Sequence, residues 1–183
     1  MSSVVDQYLA VLNAHPLKTK MVTQGLQMLL ADLISQQVSG NKKINLNSLF
    51  KMTFWGVAIS APVGHYYYAH FLTQSFNYPG AKGIIAKLLF DQLVFAPIIC
   101  YVFLNYMNGL KLKESLKKLP KLMLANWKLW PMCTILQLLF FGVHTATIFG
   151  VFVGFIWGLY LTFTENKKQN QGKSNKQDTD NKV

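Results

Sequence analysis

Apolar residues fall in long blocks along this chain, separated by short polar segments rich in lysine. The longest block, 126–163, reads NWKLWPMCTILQLLFFGVHTATIFGVFVGFIWGLYLTF. Its one full charge is Lys128. A membrane span takes roughly 20 apolar residues, so the block supplies one long span or two short ones. A straight helix over its whole length would rise about 50 Å at the α-helical pitch. That exceeds a hydrocarbon core of about 30 Å. A break is expected between Gly142 and Thr147, with spans at 130–146 and 148–163. Gly142, Ala146, Gly150, Gly154 and Gly158 recur every four residues and make a stripe of small residues where another helix backbone can approach. Trp127-x-x-Trp130-Pro131 marks the entry, since tryptophan favours the membrane interface and proline suits a helix start.

The upstream pattern predicts three more spans. Residues 1–15 form an N-terminal amphipathic segment, with Val4, Val5, Tyr8, Leu9 and Leu12 at helical spacing. Pro16 restarts the chain. The span 16–38 is polar along one third of its circumference, at Gln24, Asp32, Ser35 and Gln36. Two readings of Asp32 stay open: a carboxyl bonded to a neighbouring helix, or an acid lining a solute path. The span 49–71 carries a small-residue stripe at Gly56, Ser60 and Gly64 and a kink at Pro62. His65 follows, and Tyr66, Tyr67 and Tyr68 mark the far interface. After the turn at Asn77-Tyr78-Pro79-Gly80 comes the span 83–107. There Lys87 and Asp91 are spaced to pair. Asp91, Val94, Ile98, Tyr101 and Asn105 form a semi-polar stripe, and Pro97 predicts a second kink. Residues 110–128 hold six lysines and read as a basic interfacial helix interrupted at Pro120. The polar residues 165–183 read as a disordered tail. The expected fold is all-α: a membrane domain at 16–164, built as a polytopic transmembrane bundle of four principal spans with 148–163 as a further membrane-embedded helix.

Composition sharpens this picture. Hydrophobic residues make up 51% of the chain, and the net charge is +11. All of the basic charge is lysine. Lysines flanking apolar spans meet anionic lipid head groups, so the expected partners are the bilayer and its anionic lipids rather than nucleic acid. Cys100 and Cys133 both lie in apolar runs, which suits buried small hydrophobes. His65, His70 and His144 match no metal-ligand spacing, and no cofactor is expected. No nucleophile elbow, metal motif or phosphate loop is present, so enzymatic activity is not expected. The opening residues lack the basic region and apolar core of a secretory signal, and targeting is expected to be internal.

Several elements together resemble a known family. Tyr8, Leu12, Pro16 and Thr19 match its opening Y-x-x-x-L-x-x-x-P-x-x-T. Asp32 and Gln36 match a G-D-x-x-x-Q element, with Ala31 for the glycine. Gly56, Pro62, His65 and Tyr68 match a second element. Asp91, Gln92 and Pro97 match D-Q-x-x-x-x-P. Asn126-Trp127-Lys128-Leu129-Trp130-Pro131 and Trp157-x-x-Tyr160-Leu161-Thr162 complete the set. The chain thus resembles the Mpv-seventeen / peroxisomal membrane protein twenty-two family over about residues 8–163. It departs from the pattern where the last two segments join, lacking the family's arginine and second proline. The resemblance implies an integral protein of the peroxisomal or mitochondrial inner membrane with about four spans, some members acting as channels for small solutes.

Two functional expectations follow. One is a channel or facilitator for small hydrophilic solutes, lined by Gln24, Asp32, Gln36, His65, Lys87, Asp91 and Asn105. The other is a non-conducting scaffold that packs or forms a homo-oligomer through Gly56, Ser60, Gly64, Gly150, Gly154 and Gly158. Lysine placement bears on topology: the loop after the first span, the basic helix and the tail carry most of it. The positive-inside rule then favours two crossings by the last block.

Overall fold

The computed structural model describes the backbone of residues 3–40, 43–140 and 143–180, with side chains to 136 in the second stretch and over 149–167 in the third. Among these residues there are helices and no strand. The chain is all-α. We label the helices α1 (Val4–Ala14), α2 (Pro16–Val38), α3 (46–75), α4 (Ala81–Met107), α5 (Leu112–Phe140) and α6 (Val143–Asp180). The chain divides into two compact units. The first comprises Met1–Pro62 and Val151–Val183, the second Val63–Gly150.

Local chemistry sets the helix ends. Ser3 and Asp6 form a reciprocal capping box at the start of α1, at 2.9 and 3.1 Å. Pro16 occupies the first turn of α2, where a missing N–H loses nothing. Asn45 caps α3, its side-chain oxygen accepting from the Ser48 N–H at 3.2 Å. Gly40, Gly80 and Gly109 turn the chain at positive φ, a region that glycine enters without steric penalty.

Both expected proline kinks take one form. The ring of Pro62 crowds the carbonyl of Ala58, and Pro97 that of Leu93. Both carbonyls fall inside π-helical turns, Trp55–Ser60 in α3 and Asp91–Phe95 in α4. The wider turn makes room for the ring without ending the helix. A further π-helical turn, Tyr67–Phe71, lies in α3.

Three expectations about boundaries change. The basic segment 110–128 is not interrupted at Pro120, nor separate from the apolar stretch after it: α5 runs from Leu112 to Phe140 through Pro120 and Pro131. Helical structure continues past 164 to Asp180, and Glu165 and Asn166 are buried in the first unit. The start of the expected disordered tail is therefore folded, because Asn166 has polar partners waiting on α2. The expected break between Gly142 and Thr147 does not fall within 143–147, which the described part of α6 covers as helix. Gly142 itself lies outside the described residues, as do the side chains of His144 and Ala146.

Met28, Met52, Trp55 and Phe103 belong to an apolar core, but burial does not follow polarity throughout. Gln27, Asp32, Gln36, Gln92, Asn105 and Asn126 are buried, while Val22, Leu26, Phe50, Leu93, Ile98 and Phe152 are more than half exposed. Water favours the reverse. Hydrocarbon favours this arrangement, since polar groups there must find partners within the protein. Among the described residues one helix, Ala81–Met107, is by length and composition long and apolar enough to cross a membrane.

Candidate functional site

Two polar clusters stand out, one in each unit. The first joins α2, α3 and α6. Asp32 is fully buried. Its Oδ1 accepts from Ser48 Oγ at 3.1 Å and from Asn166 Nδ2 at 2.9 Å, and its Oδ2 accepts from Gln36 Nε2 at 2.7 Å. Asn166 Nδ2 also reaches Ser35 Oγ at 3.0 Å. Gln36 is fixed in turn by Asn45: its Oε1 accepts the Asn45 N–H at 2.6 Å, and its Nε2 donates to the Asn45 carbonyl at 3.2 Å. Each polar side chain of this knot has a partner inside the chain. A desolvated carboxylate held by neutral donors is a costly group to disturb. The arrangement fastens three helices together and leaves Asp32 no open face.

The glycine stripe leads into this knot. Gly154 and Gly158 of α6 pack on α2, Gly154 opposite Gln27 and Gly158 opposite Met28 and Ala31. Thr162 and Asn166 continue the same four-residue spacing. Thr162 Oγ1 lies 3.1 Å from the Ala31 carbonyl and 2.9 Å from that of Gly158, and Gln27 Nε2 donates to the Val151 carbonyl. These glycines are therefore used inside the chain. Gly56 is tighter still: a methyl group there would sit 2.7 Å from the Gln24 carbonyl oxygen. Gln24 enters the packing through this carbonyl. Gly64 meets nothing closer than 4.0 Å, and Ser60 and Gly150 are half-buried.

The second cluster lies in the unit of α4 and α5 and the end of α3. Asp91 is only partly buried. Tyr68 Oη donates to its Oδ1 at 2.9 Å and Gln92 Nε2 to its Oδ2 at 2.8 Å. Gln92 is held from the other side: Asn126 Nδ2 donates to its side-chain oxygen at 3.0 Å, and Trp127 Nε1 to its carbonyl at 3.1 Å. Tyr67 stacks on Phe95 with ring centroids 3.5 Å apart and planes 5° from parallel. The tyrosines and the Asp91–Gln92 pair come from π-helical turns, Tyr67–Phe71 and Asp91–Phe95, while Asn126 and Trp127 come from α5. Such turns are frequent at functional sites. Lys87 does not pair with Asp91 as its spacing predicts, because the carboxylate is aimed at Tyr68 and Gln92 instead. His65 is half-buried, its ring 5.3 Å from Tyr66 and 5.7 Å from His70. Among the described residues no three side chains of metal-ligating type come together. Asn105 is buried, with its Nδ2 on the Tyr101 carbonyl at 3.0 Å and its Oδ1 without a partner among the described residues. Pro62 and Pro97 act through the π turns, Trp130 and Pro131 are half-buried in α5, and Trp157 stacks on Tyr160 at 5.3 Å.

Three residues of the first cluster carry no obvious sequence signal alone: Gln27, Ser48 and Asn166. Asn166 lies on the four-residue spacing of Gly150, Gly154 and Gly158, extended twice, and that extension would have found it.

A protein of Dictyostelium discoideum described as PXMP2/4 family protein 3 is 35% identical over 92% of this chain and 94% of its own length. The model of the Mpv17 / PMP22 family matches residues 105–162. The chain belongs to the Mpv17 / PMP22 family. More distant relatives bracket its setting. Peroxisomal membrane protein PMP22 of Arabidopsis thaliana is 25% identical over 87% of this chain and 88% of its own. Mitochondrial inner membrane protein Mpv17 of Xenopus laevis is 29% identical over 91% and 99%. No solved structure matches. This family member is an organelle-membrane protein, of the peroxisomal membrane or the mitochondrial inner membrane. Part of the set of residues through which its sequence resembles the family is gathered in the two clusters. Asp32 and Gln36 sit in one cluster, and Tyr68, Asp91, Gln92, Asn126 and Trp127 in the other.

Proposed function

We propose that this family member is a multi-pass protein that lets small hydrophilic solutes cross its organelle membrane. In this reading the spans are those at 16–38, 49–71, 83–107 and 130–146, with 148–163 as a further embedded helix. One observation carries it: Asp91 stands near the middle of the helix best suited to cross the membrane, partly exposed, with Tyr68 and Gln92 as partners and no cation in contact among the described residues. A carboxylate at that depth is expensive unless it meets water or a polar path. Asp32 is not part of that path in this reading, since its oxygens are taken inside the first unit.

The test is reconstitution of the purified protein in planar bilayers. Wild type should give discrete openings, and Asp91→Asn should shift their ion selectivity while Asp32→Asn leaves selectivity as it was. A second reading, a non-conducting scaffold, draws support from the closed seam of α2 and α6. Silent bilayers containing folded protein would favour it.

A further inference from the structure

The first unit also has a groove of about 550 Å³ between α1, α2 and α6. Its walls are Val11 of α1, Val22, Leu26 and Leu30 of α2, and Phe155 of α6. Four of the polar side chains that reach it, Tyr8, Thr19, Thr23 and Gln27, are already bonded within the chain. Tyr8 Oη and Thr23 Oγ1 are 3.3 Å apart, Thr19 Oγ1 donates to the His15 carbonyl at 2.8 Å, and Gln27 donates to the Val151 carbonyl. An occupant therefore finds hydrocarbon contact along the groove and no hydrogen bond to compete for.

His15 also borders the groove and is exposed, and Lys18 supplies the groove's ammonium group. Lys18 is exposed too, and among the described residues its ammonium has no hydrogen bond or ion pair. Lys18, Val22, Leu26 and Leu30 recur every four residues on one face of α2. The face thus carries a cation at one end and three aliphatic side chains over the next twelve residues, about 18 Å at the α-helical rise. That is close to half of a hydrocarbon core of about 30 Å, the depth of one leaflet. The cation lies one turn into α2, beside the Pro16 junction with the amphipathic α1, where the head-group layer is expected.

We infer that the groove holds one acyl chain of an anionic phospholipid, with Lys18 at the head-group phosphate. The inference does not depend on conduction. Native mass spectrometry of the purified full chain, loaded with dioleoylphosphatidylglycerol or dioleoylphosphatidylcholine, tests it. Wild type should retain one phosphatidylglycerol in preference to phosphatidylcholine. Lys18→Ala, which alters an exposed side chain, should reduce that retention about five-fold, the value of one lysine beside an anionic surface. Leu26→Trp should fill the groove and abolish retention with the helical circular dichroism unchanged. Equal retention of the two lipids by wild type would mean ordinary boundary lipid and overturn the inference. So would an undiminished Lys18→Ala, or an equal loss in Lys113→Ala, where the lysine belongs to the basic stretch of α5.

Discussion

The two acids separate at the level of single residues. Asp32 uses both oxygens, and its donors are fixed by other bonds. Gln36 cannot turn its amide over without losing the Asn45 N–H. Asp32→Asn therefore sets an amide N–H against a donor and leaves a buried group unsatisfied, at about 1–3 kcal/mol. Asn166→Ala strips one donor from Asp32 and one from Ser35, and falls in the same range. Thermal unfolding in detergent should show each variant lower by about 2–12 °C. If both unfold with wild type, the knot contributes nothing to stability. Asp91→Asn, at a partly exposed site held by one tyrosine and one glutamine, should lower Tm by far less and act on selectivity.

Elements pack through small residues, but not every small residue is an interface. The crossing of α2 and the first part of α3 is closed at Gly56, where an added methyl would press on the Gln24 carbonyl and on Met28. Backbone cannot swing aside as a side chain can, so Gly56→Ala should destabilise by about 1–3 kcal/mol. Gly64→Ala, with open space around it, should stay within about 0.5 kcal/mol of wild type. Comparing the two Tm values checks whether the stripe Gly56, Ser60, Gly64 is one surface or, as the geometry has it, one contact. On α6 the four-residue period changes chemistry as it descends. Glycine admits the α2 backbone, threonine caps a carbonyl, and asparagine enters the polar knot.

For the whole molecule, polar inside and apolar outside is the arrangement a bilayer demands, because no water reaches an unpaired N–H or carboxylate in hydrocarbon. Topology gives the sharpest test at this scale. Single cysteines placed at Lys43, Lys82, Lys113 and Ser174 can be labelled with a membrane-impermeant maleimide in sealed organelles. The native Cys100 and Cys133 are buried and should stay silent. Lys43 and Lys113 should label from one side and Lys82 from the other. With two crossings by the last block, Ser174 labels with Lys43. Labelling with Lys82 instead would mean a single crossing there.

Helix placement was legible in the sequence by itself. Pro16 and the lysine-bearing loops mark where helices begin and end, and apolar run lengths mark their extent, because both are local properties of the backbone and its solvent. The family was legible too, in short motifs at fixed order. The uninterrupted α5 was not, since a proline's effect depends on whether the surrounding turn can widen or be held by its neighbours. Nor was the role of each polar residue. Asp32 and Asp91 look alike along the chain, each an acid on the semi-polar face of a helix. Only tertiary structure surrounds the first with Ser48, Asn166 and Gln36 and leaves the second partly open beside Tyr68. Gln36 is one turn away and was legible, but Asn166 lies 134 residues from Asp32, and a hydrogen bond across that distance leaves no local pattern to read.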